Sequence, residues 1–133
     1  MTELPDTDSA RRDAGMATRR EVLGAAHVDR AVAATTPFTA DFQDFITRTA
    51  WGDVWQRPGL ARRDRSLLTL AITIALRHWE EFALHVRAAK NNGLSDEEIS
   101  EVIQHAAIYA GVPAANHAFK VAAAILEELR GGS

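Results

Sequence analysis

Along nearly the whole chain the apolar positions recur every three to four residues, which predicts helices with short connections between them. Ser9 to Leu23 is charged and alanine-rich with a weak apolar stripe, so it is expected as a helix stopped by Gly24 and packed peripherally or on another subunit. His27 to Ala34 supports a short second helix. In "TTPFTADFQDFI", threonine and proline start signals precede Phe38, Phe42 and Phe45 at offsets of four and three, a stripe expected in the core. "WGDVWQRPGLARRD" then breaks the period with Gly52, Pro58 and Gly59, which predicts a loop or short turn bringing two tryptophans near a group of arginines.

Asp64 is placed to cap the next helix, "SLLTLAITIAL" from Ser66 to Leu76, which is apolar nearly all round and so expected to be buried on most sides. Its β-branched residues would also suit a strand, but the chain offers no second strand to pair with it. From Arg77 a further helix carries Phe82, Val86 and Ala89 on one face and ends at Asn91, Asn92 and Gly93, with the glycine suited to a left-handed terminus. Ser95 and Glu98 form a capping box ahead of Ile99, Val102, Ile103, Ala106 and Ala110. Gly111 closes that helix, and Pro113 opens a last one through Phe119, Val121 and Leu126. The expected architecture is all-α: one domain over residues 9–130 with about six helices, a frayed tail at 1–8 and a flexible end at 131–133.

Composition narrows the chemistry. The chain has 133 residues, 47% of them apolar, enough for one core. A net charge of −3 gives no basic footprint for nucleic acid. With no cysteine, disulfides, thiolate nucleophiles and cysteine-held metals drop out. No apolar run approaches a membrane span and the N-terminus lacks an export core, so a cytoplasmic protein is expected.

In "RHWEEFALHVRAAKNNG", His78, Glu81 and His85 follow one another at offsets of three and four. On one continuous helix they fall about 40–100° to one side of Phe82, along a flank of the buried stripe. A carboxylate and an imidazole in a partly desolvated flank can exchange protons and shift each other's pKa. The same spacing also fits a solvated Glu–His pair or a face of metal ligands, and the spacing does not decide among the three.

"HVDRAVAATTPF", "ITRTAWGDVWQRPGL", "RRDRSLLTLAITIAL", "EEFALHVRAAKNNG" and "AIYAGVPAANHAF" together resemble the carboxymuconolactone decarboxylase and alkylhydroperoxidase-like family, from about His27 to the end. The resemblance implies an all-α fold in a ring-like homo-oligomer, with a hexamer as the expected size, and a place in protocatechuate catabolism. The peroxidase branch carries a Cys-x-x-Cys pair that would fall at His78 and Glu81, a histidine matching His85, and a relay glutamate that would fall at Ser66. Both thiols and that acid are lost here, as the thiols are in the decarboxylase branch.

The implied reaction converts gamma-carboxymuconolactone to beta-ketoadipate enol-lactone without a cofactor, because the unsaturated lactone takes up its own departing electrons. For that chemistry His85, oriented by Glu81, is the candidate general acid, with His78 as a further catalytic candidate. Arg57, Arg62, Arg63 and Arg65 lie within nine positions, and a guanidinium grips a carboxylate in bidentate fashion; Arg65 and then Arg63 are the leading choices. At least two of the four are expected in a solvated turn paired with Asp64. His105 and Tyr109 are candidate donors to the lactone oxygen, Tyr109 alternatively a core residue with a satisfied hydroxyl. Trp51 and Trp55 either wall the pocket or are ordinary core or interface aromatics. Trp79 is expected at an interface, and His117 as a structural hydrogen-bonder or subunit contact. The implied ligand is a small dicarboxylate lactone, with no nucleic-acid or membrane partner. A related enzyme acting on another lactone or keto acid, and a non-catalytic helical scaffold, remain the alternatives.

Overall fold

The computed structural model describes residues 4–131, so the expected tail and flexible end lie in part outside the described residues. Among the described residues there are seven α-helices and no strand. They are α1 (Asp8–Leu23), α2 (Ala25–Ala33), α3 (Ala40–Ile46), α4 (Arg62–Ala75), α5 (Trp79–Asn91), α6 (Asp96–Ala110) and α7 (Val112–Gly131). A π-helical turn, Thr47–Trp51, and a 3-10 turn, Val54–Gln56, follow α3. Among the described residues no helix is long and apolar enough to cross a membrane. The chain falls into two compact units that meet in sequence between Ala61 and Arg62.

In the first unit α1 is more than a peripheral helix. Thr7 caps it by accepting from the Ala10 N–H at 3.0 Å, and it buries Gly15, Thr18, Arg19, Val22 and Leu23. The chain can approach this closely because two glycines meet. A Cβ on Gly15 would overlap the Thr47 carbonyl oxygen, and one on Gly52 would overlap that of Arg11. Gly52 therefore serves a helix crossing as well as breaking the helical period. Gln56 locks the contact: its Nε2 donates to the carbonyls of Ala14 and Trp51, each at 3.1 Å, and to Thr18 Oγ1. Asp44 on α3 takes guanidinium bonds from both Arg12 and Arg48.

The phenylalanine stripe is not core. Phe38 is 95% exposed, and Phe42 and Phe45 are exposed beside it. A unit of three helices, one of them only seven residues long, has too little interior for three more aromatic rings once α1 and the π-turn have packed together.

The second unit is a four-helix arrangement around Leu70, Ile74, Phe82, Val86, Ile99, Ile103, Ala118 and Ile125. The apolar faces read from α5 and α6 are the ones buried. α4 differs from expectation: Ser66, Leu70, Thr73 and Ile74 are buried, but Leu68, Ile72 and Leu76, each four residues from the next, form an exposed stripe. Asp64 is not the cap of α4; it sits in the first turn, where its charge still meets the positive end of the helix. Ser95 and Glu98 form the expected capping box on α6.

The joint between α4 and α5 sets the start of the candidate site. Arg77 takes a left-handed backbone, φ 57°, and the N–H groups of Arg77 and His78 bond back to Ile74 and Thr73 at 3.1 and 2.9 Å. This is the Schellman pairing, with arginine where glycine is usual. α5 ends the same way, on Gly93 at φ 90°, with Leu94 N–H bonding to Ala89 and its side chain buried.

Candidate functional site

α5 begins at Trp79, so His78 is its N-terminal cap residue, with φ −86° and ψ 78°, and the continuous-helix projection does not apply to it. The His78 carbonyl accepts from Phe82 N–H at 2.8 Å, while its imidazole caps nothing and is exposed. His78, Trp79, Glu80 and Glu81 wall an open groove of about 280 Å³ at this end of the helix. Trp79 is held within the unit: its ring meets Phe82 edge-on at 5.8 Å and His117 of α7 at 4.4 Å. That gives His117 a ring contact and Trp79 a packing role besides any interface.

One turn further along α5, His85 is 7% exposed, and its Nδ1 is shielded from solvent. Glu81, four residues before it, is exposed. The three expected residues thus differ in their surroundings. His78 and Glu81 share a groove, and His85 belongs to the buried flank beside Phe82, Val86 and Ala89. Among the described residues no three histidine, aspartate or glutamate side chains are placed to hold one metal ion, these three included.

Behind His85, α5 is tied to its neighbours. Asn92 Nδ2 donates to Ser66 Oγ at 2.8 Å, and Ser66 is fully buried on α4. Lys90 meets Asp96 of α6 at 2.7 Å, Arg130 of α7 meets the same carboxylate at 3.0 Å, and Arg87 pairs with Glu128 of α7. Lys90, followed by Arg130, holds the Asp96 carboxyl below its ordinary range.

The arginines divide. Arg63 is committed to Glu98, the capping-box glutamate of α6; this contact raises the guanidinium pKa, and the same contact, followed by the Ser95 N–H, lowers that of the carboxyl. Arg57, in the first unit, pairs with Asp53 at 2.9 Å. Arg65 is half-buried in the first turn of α4 with its Nε shielded from solvent, and its carbonyl accepts from Thr69 Oγ1 at 2.8 Å. On α6, His105 and Tyr109 stack with ring centroids 5.2 Å apart. Tyr109 is 81% exposed, so the core reading fails for it. Trp51 and Trp55 stack in the first unit at 5.1 Å, Trp51 buried and Trp55 half-buried.

Chemically, the groove offers an imidazole and two carboxylates at a helix start. Its own walls are anionic and would repel a dicarboxylate, so any guanidinium clamp has to come from residues outside it. The buried His85 is the better-shielded imidazole for delivering a proton.

Residues 40–124 match the carboxymuconolactone decarboxylase family. The chain belongs to that family. Its relatives include a 4-carboxymuconolactone decarboxylase of Acinetobacter baylyi, 45% identical over 122 residues, covering 92% of this chain and 91% of the relative. A nitrosuccinic acid decarboxylase of Metarhizium robertsii is 50% identical over 101 residues, 76% of this chain and 71% of the relative. A 4-carboxymuconolactone decarboxylase of Pseudomonas putida is 52% identical over 46 residues, 35% of this chain and 96% of that sequence. The family match takes in the end of the first unit and most of the second, from α3 into α7.

Proposed function

We infer that this protein is a carboxy-lyase that converts gamma-carboxymuconolactone to beta-ketoadipate enol-lactone in protocatechuate catabolism, with no cofactor. The observation that carries this reading is the 45% identity, across nearly the full length of both chains, to a relative named for that activity.

The substrate is a five-membered unsaturated lactone with one carboxylate on the ring carbon gamma to the carbonyl and another on an acetate arm. As the ring carboxylate leaves as carbon dioxide, its bonding pair runs through the ring double bond to the lactone carbonyl oxygen. Protonation at the alpha carbon then gives the enol-lactone. The protein has to bind two anionic groups, stabilise the charge growing on oxygen, and deliver one proton to carbon. A donor well placed at that oxygen is worth about 3 kcal/mol of barrier.

His85 is the proton donor in this reading, because it is the shielded imidazole of α5, and Glu81 one turn away orients it. His78 faces the same groove as Glu81 and assists proton entry. Arg65 takes a carboxylate; Arg63, already paired with Glu98, supports the α4–α6 contact and is the weaker candidate. His105 and Tyr109 face ligand or a neighbouring copy. The protein works in the cytoplasm as a homo-oligomer, a hexamer. The exposed stripes Phe38, Phe42, Phe45 and Leu68, Ile72, Leu76 support an assembly that covers them.

A second substrate is favoured by the 50% identity to the nitrosuccinic acid decarboxylase. A nitro-substituted succinic acid is also a dicarboxylate with a built-in electron sink, and its decarboxylation also ends with protonation at carbon. Carbon dioxide release by the purified protein from the lactone and from nitrosuccinate, side by side, tests the assignment. Faster turnover of the lactone, lowered about a hundredfold or more in a folded His85→Ala variant, is expected. Turnover of nitrosuccinate alone would replace the substrate, and turnover of neither would leave a helical scaffold.

A further inference from the structure

The start of α4 is tied down at two points, one on either side of Arg65. Arg63 is bound to Glu98 of α6, and Ser66 accepts from Asn92 Nδ2, at the end of α5, at 2.8 Å. We propose, on the decarboxylase reading above with a carboxylate at Arg65, that Asn92 is a positioning residue for substrate binding. Through Ser66 it fixes the turn from which Arg65 holds the carboxylate that remains on the product.

The N–H groups of a helix's first turn have no partner within the helix, so side-chain ties matter most there. Arg65 lies in that turn of α4, and its guanidinium is only as well placed as the backbone that carries it. Ser66, the next residue, is fully buried, so no bulk water replaces the amide that Asn92 supplies. Asn92 is itself fixed from the backbone. Its N–H bonds to the Ala88 and Ala89 carbonyls at 2.9 and 3.2 Å, and the N–H groups of Gly93 and Leu94 bond back to Lys90 and Ala89 at 3.2 and 3.0 Å. The amide therefore extends from a closed helix end, and truncating it leaves those backbone bonds in place.

The chemistry decides which carboxylate gains from a fixed guanidinium. The ring carboxylate gives up its charge as carbon dioxide leaves, so a guanidinium gripping it would stabilise the substrate more than the transition state and slow the reaction. The carboxylate on the acetate arm keeps its charge from substrate to product. Arg65 can hold it equally throughout, and an interaction of that kind sets KM and not kcat. Because a bidentate guanidinium contact is exacting in geometry, loosening the turn beneath Arg65 weakens it.

Steady-state kinetics of the full-length protein on the lactone provides the test. Asn92→Ala and Ser66→Ala remove the same bond from opposite ends, and each should raise KM about tenfold with kcat within about twofold of the parent. The double variant should go no further than either single one. In an Arg65→Met background, Asn92→Ala should change kcat/KM by less than about twofold, because the contact it serves is already gone. Arg87→Ala, which cuts the pairing of α5 with Glu128 of α7, is the control and should leave KM unchanged. A mere loss of folded protein would lower apparent kcat and leave KM alone. A parent-like KM in either single variant, or an equal effect of Asn92→Ala with and without Arg65, would overturn the proposal while the decarboxylase reading stands. A parent that releases no carbon dioxide from the lactone would remove that reading, and the role of Asn92 with it.

Discussion

Glu81 and His85 occupy adjacent turns of α5, yet the carboxylate stands in solvent while the imidazole is buried. If the imidazole delivers the proton and the acid orients it, His85→Ala should lower kcat by about a hundredfold or more. Glu81→Gln should lower kcat by less, with KM nearly unchanged, and should move the pH profile of kcat. Steady-state kinetics across pH separates these outcomes from a plain folding defect, which would lower active enzyme in both variants alike.

The Asn92–Ser66 bond predicts a stability effect remote from the groove. Asn92→Ala leaves a buried hydroxyl without its 2.8 Å donor and should cost about 1–3 kcal/mol in urea unfolding. Ser66→Ala alone should cost less, since the half-buried amide of Asn92 can turn to water.

At the crossing of α1 with the π-turn, Gly15→Ala and Gly52→Ala should each destabilise the first unit by about 1–3 kcal/mol or more, because the added methyl meets backbone oxygen and not a flexible side chain. Thermal unfolding measures this. Gly59→Ala, where an added Cβ meets nothing within 4 Å, is the control and should change little.

Arg77 holds a left-handed backbone that costs a non-glycine residue about 1–2 kcal/mol. Arg77→Gly should therefore raise the unfolding midpoint slightly, the gain reduced by the extra freedom of glycine in the unfolded chain. Arg77→Ala, still bearing a Cβ, should bring no such gain.

Stability should also fall at acid pH. The carboxyls of Asp44, Asp53, Asp96 and Glu98 all lie below their ordinary values, each mainly through a hydrogen bond from a cationic partner: Arg12, Arg57, Lys90 and Arg63 respectively. A depressed carboxyl contributes stability above its unfolded pKa, 3.8 for aspartate and 4.5 for glutamate, and loses it as pH falls through the folded value. Urea midpoints should thus hold steady from neutral pH to about 5 and drop below about 4. An Asp96→Asn, Glu98→Gln double variant should show a shallower drop.

Much of the second unit was legible from residue pattern alone. Ser95, Glu98 and Gly93 act through bonds to backbone a few residues away, so their local sequence is sufficient to read them. The Phe82, Val86, Ala89 face was equally clear, because helical period fixes which residues share a side. What period cannot say is what covers that side: Phe38, Phe42 and Phe45 form as clean a stripe and face solvent. His78 was misplaced because the break at Arg77 comes from a left-handed arginine that carries no composition signal. Arg19 was missed for the opposite reason. It sits four residues after Gly15 and three before Val22 on the buried face of α1, but a charged residue inside a weak stripe reads as surface until its neighbours are seen.

The Schellman joint also governs where this chain can change length. From Thr73 to Phe82 successive backbone groups are tied by short-range bonds, Thr73 to His78 and His78 to Phe82, leaving no spare residue to absorb an insertion. The exposed Pro58–Ala61 stretch carries no comparable bonding, so natural insertions and deletions belong there, and the elbow ahead of α5 must be copied residue for residue.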